Sequence, residues 1–339
     1  MTPLKALAAV FTPSRRRAIL LTVAALFIFG LLALMIVAGL LQPRRWSRDI
    51  WVEGIVPGTA STFKTPPYGL MTYLLPYHED GTTDGTHLFI LGSDGGGRDM
   101  LGLLARGSLP SFTLVALVVV ARTVVGVLAG FAMAAGSGFV RAVSRGMGRW
   151  VAGFPYLALA IIVVEALSPS PDKRTTIAFV VGMSLVGWRE IAEVTARVVE
   201  NVRIQPYTEA AKALGSEGFT YLRRHVLPHL RPALATELPF QASAVLVLLG
   251  ELGFLQVYLG GKAIQFIADT SPPGNGPLTT SYRLLSSPEL GQMLADARNY
   301  ILKEQWLPVM MPALTLALLA LAFEMLGLAL RYRDGSRTA

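Results

Sequence analysis

From Ala18 to Leu41 the chain carries no charged side chain. A helix of about 20 apolar residues crosses the hydrocarbon core of a bilayer. This run therefore fixes the solvent that the fold must satisfy, lipid around its middle and water at its ends. It is longer than a signal-peptide core of about 7–15 residues and is read as a retained span. Arg15, Arg16 and Arg17 stand directly before it and are expected to hold the N-terminus in the cytoplasm. The remainder repeats the pattern: 53% of the 339 residues are hydrophobic and only 15% are charged. That balance is too apolar for an ordinary soluble domain.

The expected fold is all-α and polytopic. Six membrane helices are placed at about 18–41, 110–135, 150–167, 175–193, 232–257 and 307–330. The fourth has a short apolar core followed by Arg189 and Glu190, so that helix is expected to continue out of the bilayer toward the cytoplasm. With this topology the Lys/Arg excess falls on 1–17, 136–149, 188–231 and 331–339, while the opposite loops are nearly balanced. Basic residues inside and both termini cytoplasmic is the expected sign. Arg44, Arg45 and Arg48, just beyond the first span, oppose it locally. The net charge of +8 thus follows from topology and gives little support to nucleic-acid binding. The expected localisation is a membrane, with the bilayer itself as a partner.

Two outer loops are long. Residues 42–109 have the composition of a small cap. Residues 258–306 hold a Pro/Gly turn cluster at 271–277 and a helical-looking stretch from Pro288 to Leu302. Long ordered loops on one face commonly serve binding or gating. The chain divides into 1–107, with the N-terminal segment, first span and outer loop, and 108–335, the transmembrane domain.

Little suggests catalysis. With no cysteine, disulfides, thiolate metal sites and cysteine nucleophiles are excluded. Gly92–Gly97 is glycine-rich, but no Gly-x-x-x-x-Gly-Lys-Ser/Thr occurs, so no nucleotide cofactor is expected on this chain. The segment reads as a turn fixed by local contacts of Asp94, Arg98 and Asp99. His225 and His229 have i, i+4 spacing, but Pro228 intervenes and no metal site is expected there. His78, Glu79, Asp80 and His87 on the outer loop read as a solvated loop rather than a cation site. Ionisable residues inside spans are costly in hydrocarbon and mark function or helix pairing. Arg122, Glu165, Glu251 and Glu324 are therefore candidates for a translocation path, with Glu237 near the inner side. Arg122 is expected to face a glutamate or a wet cavity. Gly126-x-x-x-Gly130 lets a neighbouring helix approach closely.

The inner loop carries the sharpest local signal. Tyr207-Thr208-Glu209-Ala210-Ala211-Lys212-Ala213-Leu214-Gly215 reads as a short helix that Gly215 stops. Thr208 could cap its start, and Glu209 suits the positive end of the helix dipole. Leu227-Pro228 marks re-entry toward the bilayer, where a proline is tolerated in a first turn. On composition alone this is an ordinary loop helix without a partner.

The spacing changes that reading. Glu209-Ala210-Ala211, three residues, Gly215, then nine residues before His225-Val226-Leu227-Pro228 resembles the EAA loop of ABC importer permeases. Arg224-His225-Val226-Leu227-Pro228 is similar to the form in the dipeptide/oligopeptide/nickel branch. Gly92-Ser93-Asp94-Gly95-Gly96-Gly97-Arg98-Asp99, Glu251-Leu252-Gly253-Phe254-Leu255 and Pro288-Glu289-Leu290-Gly291-Gln292-Met293-Leu294 resemble other segments of that branch. Leucine stands in the last where the family carries tryptophan, and the usual C-terminal tail is reduced to Leu330-Arg331-Tyr332-Arg333-Asp334.

The resemblance covers roughly 90–339 and implies a type I ABC importer permease, the second (C-type) subunit. It further implies that a coupling helix near 207–218 meets a separate ATPase through Glu209, Ala210, Ala211, Gly215, Leu227 and Pro228. Expected partners are a homologous permease, two ATPase subunits or domains that bind ATP and Mg, and an extracytoplasmic solute-binding protein. The chain itself would be no enzyme. Peptides or similar small polar solutes are the expected cargo; nickel chelates, another solute, or an exporter or signalling permease are alternatives.

Overall fold

The computed structural model describes residues 13–41, 50–53, 62–63, 67–77, 87–95, 97–168, 174–213, 218–259, 263–269, 279–285, 289–295 and 297–338. Helices dominate. They are α1 (Pro13–Leu41), α2 (Met100–Ala135), α3 (Gly138–Ala152), α4 (Tyr156–Ala166), α5 (Thr176–Arg203), α6 (Pro206–Ala213), α7 (Gly218–Tyr221), α8 (Leu227–Phe254), α9 (Ala297–Leu302) and α10 (Leu307–Thr338). A π-helical turn, Leu222–Val226, joins α7 to α8.

Among the described residues four helical stretches are long and apolar enough to cross a membrane alone: Arg16–Leu41, Met100–Ala135, Leu222–Phe254 and Leu307–Arg333. The expected third span is broken. Gly138–Val151 and Tyr156–Ala166 meet at 100°, and counted as one span they make a fifth. Pro155 explains the break, because a proline clashes with a helical conformation at the residue before it. α4 has 11 residues, about 16 Å of helix, or half the hydrocarbon thickness. α5 is the expected fourth element. It runs past the predicted end at 193 to Arg203, as its charged second half suggested.

α2, α5 and α8 form the core. Gly126 and Gly130 let α2 lie against α5: a Cβ on Gly126 would meet Ile191 and the Trp188 carbonyl, and one on Gly130 would meet Thr195 and the Ala192 carbonyl. The small-residue pair predicted to permit close packing does so. Because backbone is the obstacle, no rotamer change relieves it. Gly126→Leu or Gly130→Leu is expected to abolish the folded protein, read as loss of a monodisperse peak after detergent extraction. A wild-type peak would contradict this packing. α1 lies outside the core against α2 and α10, with Phe29 edge-on to Phe323 at 5.0 Å.

The outer loops are not all helix or coil. β1 (Ile50–Glu53), β2 (Thr62–Phe63), β3 (Thr72–Tyr77) and β4 (His87–Phe89) form an antiparallel sheet in the order β2-β1-β3-β4. β5 (Ala263–Asp269) and β6 (Thr279–Leu285) form a hairpin. In the helical-looking stretch from Pro288 to Leu302, the described residues form a 3-10 turn, Gln292–Leu294, and then α9. Gly92 (φ +73°) turns the chain from the sheet into α2, close to Leu307 and the Tyr68 carbonyl.

Candidate functional site

α6 sits at the end of the bundle that also carries α3. Pro206 occupies its first position, where a missing N–H costs nothing. Thr208 is therefore inside the helix and does not cap it, contrary to the sequence expectation. Its side chain is fully buried, and the hydroxyl donates to the Val202 carbonyl at 2.7 Å. That bond ties α6 back to the last turn of α5. Glu209 and Ala210 are exposed and Ala211 is half-buried. Small side chains on an exposed, anchored helix let another surface approach its backbone. Gly215 lies outside the described residues.

The return path is ordered by aromatic contacts. Tyr207 Oη lies 3.3 Å from His229 Nε2, and the His225 ring stands 6.0 Å from that of Tyr207 and 5.6 Å from that of Tyr221. The π-helical turn places Val226 in the core and leaves Pro228 exposed in the first turn of α8, with Leu227 half-buried between them. Thus α6, the π-helical turn and the start of α8 form one supported corner. The two histidines help to order this corner.

Arg122 occupies the core, 3% exposed. Nε donates to the Met183 carbonyl at 3.0 Å and one Nη donates to Gln241 Oε1 at 3.0 Å. Gln241 Nε2 donates in turn to Glu190 Oε2 at 2.6 Å. The guanidinium lies against Gly187, where any side chain would collide with it. The expected glutamate partner exists, but it is Glu190, reached through Gln241, and none of the four glutamates placed in spans. Sequence reasoning passed over Gln241, whose signal was an amide in an apolar run.

The other candidates are scattered. Glu165 accepts from Arg174 at 2.7 Å and 3.0 Å, and Arg174 also donates to the Gln256 carbonyl, which links α4 to the end of α8. Glu237 pairs with Arg331 of α10 at 3.3 Å. Glu251 is exposed and Glu324 half-buried.

At the opposite end, the Gly-rich turn has the local contacts predicted for it. Asp94 accepts from the Arg98 backbone N–H at 2.8 Å and from its guanidinium at 2.6 and 2.7 Å. Asp99 caps α2 by accepting from Gly102 N at 3.0 Å and lies 3.1 Å from His87 Nε2. His78, Glu79 and Asp80 lie outside the described residues.

Glu289 was quoted in the sequence only as part of a motif. Here it is buried beside α8, accepting from Leu259 N at 3.1 Å, while the next residue, Leu290, donates its N–H to Ser111 Oγ of α2 at 2.9 Å. Burial pushes the Glu289 carboxyl up from 4.5 to about 8, against the smaller opposing effect of the Leu259 N–H. The native state therefore holds this proton where an unfolded chain releases it. Stability contributed here is fully present below pH 4.5 and is lost as pH rises toward about 8. Glu289→Gln is expected to flatten the fall in thermal midpoint across that window; an unchanged pH profile would contradict it.

Residues 123–268 match the family described as "Binding-protein-dependent transport system inner membrane component". The peptide transport system permease protein SapC of Escherichia coli O6:H1 is 29% identical over 276 residues, 80% of this chain and 81% of that protein. The dipeptide transport system permease protein DppC of Haemophilus influenzae is 26% identical over 73% of this chain and 74% of its own length. The di/tripeptide permease DppC of Pseudomonas aeruginosa is 29% identical over 72% and 70%. Membrane-crossing helices among the described residues and the supported inner-loop corner thus stand beside a likeness to inner-membrane transport components and to permease proteins of peptide transport systems.

Proposed function

We propose that the chain moves peptides, as a C-type subunit beside a homologous permease, with the path between the two. Two ATPase subunits or domains, carrying ATP and Mg, dock from the cytoplasm, where both termini lie. A solute-binding protein delivers cargo to the outer loops. The reading rests most on α6: exposed at Glu209 and Ala210, yet fastened by Thr208 to α5. A helix held in this way passes a push into the bundle instead of swinging free. Gly215, Leu227 and Pro228 complete the contact region. Nucleotide must favour one state of the path by binding it more tightly, since equal binding shifts nothing.

The peptide cargo is supported by the names of the relatives, and the binding protein by the family description. For the path itself, Glu251 is exposed, whereas Arg122 and Glu165 are engaged by partners within the chain. We assign Arg122 to fastening α2, α5 and α8, and leave Glu251 and Glu324 as path residues.

Purification of the tagged chain in mild detergent, with the co-isolating chains identified and uptake of labelled di- and oligopeptides measured, tests the proposal. ATPase chains and a second permease are the expected companions, with ATP-dependent peptide uptake. A chain that purifies alone and transports without nucleotide would overturn it.

A further inference from the structure

We propose that α3 is an interfacial helix that lies in the plane of the membrane and engages anionic phospholipid headgroups.

The residues of α3 fall on three faces at helical spacing. Phe139, Val143, Met147 and Trp150 recur at i, i+4, i+8 and i+11, a single stripe that Phe154 extends past the helix end. Phe139 is 78%, Met147 58% and Trp150 65% exposed. The Trp150 and Phe154 rings are in contact, tilted at 57° with centroids 4.8 Å apart. Opposite them stand Arg141, Arg145 and Arg149, each four residues from the next. Between the two faces runs the side that touches the protein: Gly148 against Met133 and Arg189, with Val151 buried. Arg145 also reaches Glu200 of α5 at 3.0 Å. The bundle thus covers one flank and leaves the apolar stripe bare.

What covers the stripe follows from the chain's path. α3 joins one membrane-crossing helix, α2, to a second apolar helix, α4, from which it turns by 100°. If α4 runs along the bilayer normal, α3 lies nearly in the bilayer plane at its surface. There an apolar face with Phe and Trp sinks to the boundary between headgroups and acyl chains, and an arginine face lies at headgroup level. A stripe of phenylalanine, methionine and tryptophan backed by three arginines suits a surface that is apolar below and negative above. Juxtamembrane arginines attract anionic lipid.

The chain has no native cysteine, so single cysteines can be labelled without background. The full complex bearing Met147→Cys or Ala142→Cys, each with a fluorophore, is reconstituted in nanodiscs containing brominated phosphatidylcholine or brominated phosphatidylglycerol at equal share. The expected result is strong quenching at 147 and little at 142. Quenching at 147 is expected to report about fivefold enrichment of the brominated phosphatidylglycerol, the factor for one basic residue at an anionic surface. Arg149→Gln should remove that preference while leaving quenching by brominated phosphatidylcholine. Label at 147 that no lipid quenches, whether covered by another chain or open to water, overturns the membrane placement. Equal quenching by the two lipids overturns the headgroup preference.

Discussion

Replacing Glu209 by lysine is expected to lower peptide uptake about 5- to 150-fold, the range for loss of a coupling free energy of about 1–3 kcal/mol, while the complex still inserts and hydrolyses ATP. The side chain is exposed. Reversal of its charge therefore acts on whatever meets α6 from outside. A bulky residue at Gly215 is expected to act in the same direction. Thr208→Val tests the anchor instead of the contact: it removes the 2.7 Å hydroxyl bond to the Val202 carbonyl, which still accepts from Gln205 N at 3.2 Å, at a cost of about 0.5–1.5 kcal/mol. It should also uncouple, because α6 is no longer fastened to α5. Uptake and ATPase rates measured on the same proteoliposomes separate these effects from misfolding. Wild-type uptake with Glu209→Lys and with the Gly215 variant would remove α6 from the mechanism.

Arg122→Leu is expected to reduce transport by more than it reduces assembly. The substitution leaves Gln241 Oε1 without its donor in the core, while the Met183 carbonyl, inside α5, keeps its helical N–H partner. Leaving one buried acceptor unsatisfied costs about 1–3 kcal/mol. The Gln241–Glu190 bond at 2.6 Å survives, so α5 and α8 stay joined while α2 loses its tie to both. Adding Gln241→Leu removes the stranded oxygen together with the bond to Glu190, whose exposed carboxylate is then solvated, and the double variant should regain assembled complex without regaining uptake. Uptake per assembled complex, with assembly counted by size-exclusion chromatography, is the measurement. Normal uptake per complex in Arg122→Leu would show that this tie has no part in the transport cycle.

Sequence patterns were most readable where one physical constraint acted alone. Gly126 and Gly130 read as a close-packing pair because only glycine admits a neighbouring backbone there, and α5 occupies that space. Asp94, Arg98 and Asp99 read as turn-fixing residues because their partners are local. The position of α6 followed from its alanines and its proline-marked exit. Readings failed where two constraints competed. Hydropathy drew one span through Pro155, but the steric demand of proline ended the helix and produced the bend. Thr208 is a good capping residue, yet Pro206 began the helix two residues earlier and left the hydroxyl to bond backward. The outer strands are short, and their pairing joins residues distant in the chain, such as Trp51 with Pro76. Local composition does not encode such a register. Gln241 escaped notice for a related reason. Its significance lies in bridging Arg122 and Glu190, which come together only after three helices pack.

The docking of α6 is tested most directly with a single cysteine at position 210, introduced by Ala210→Cys into this cysteine-free chain. The assembled complex is treated with a short bifunctional cross-linker, with and without ATP. A covalent product containing an ATPase chain, its yield changing with nucleotide, is the expected result. A thiol at 210 that stays fully reactive toward a bulky maleimide in the intact complex, and joins no other chain, would contradict it.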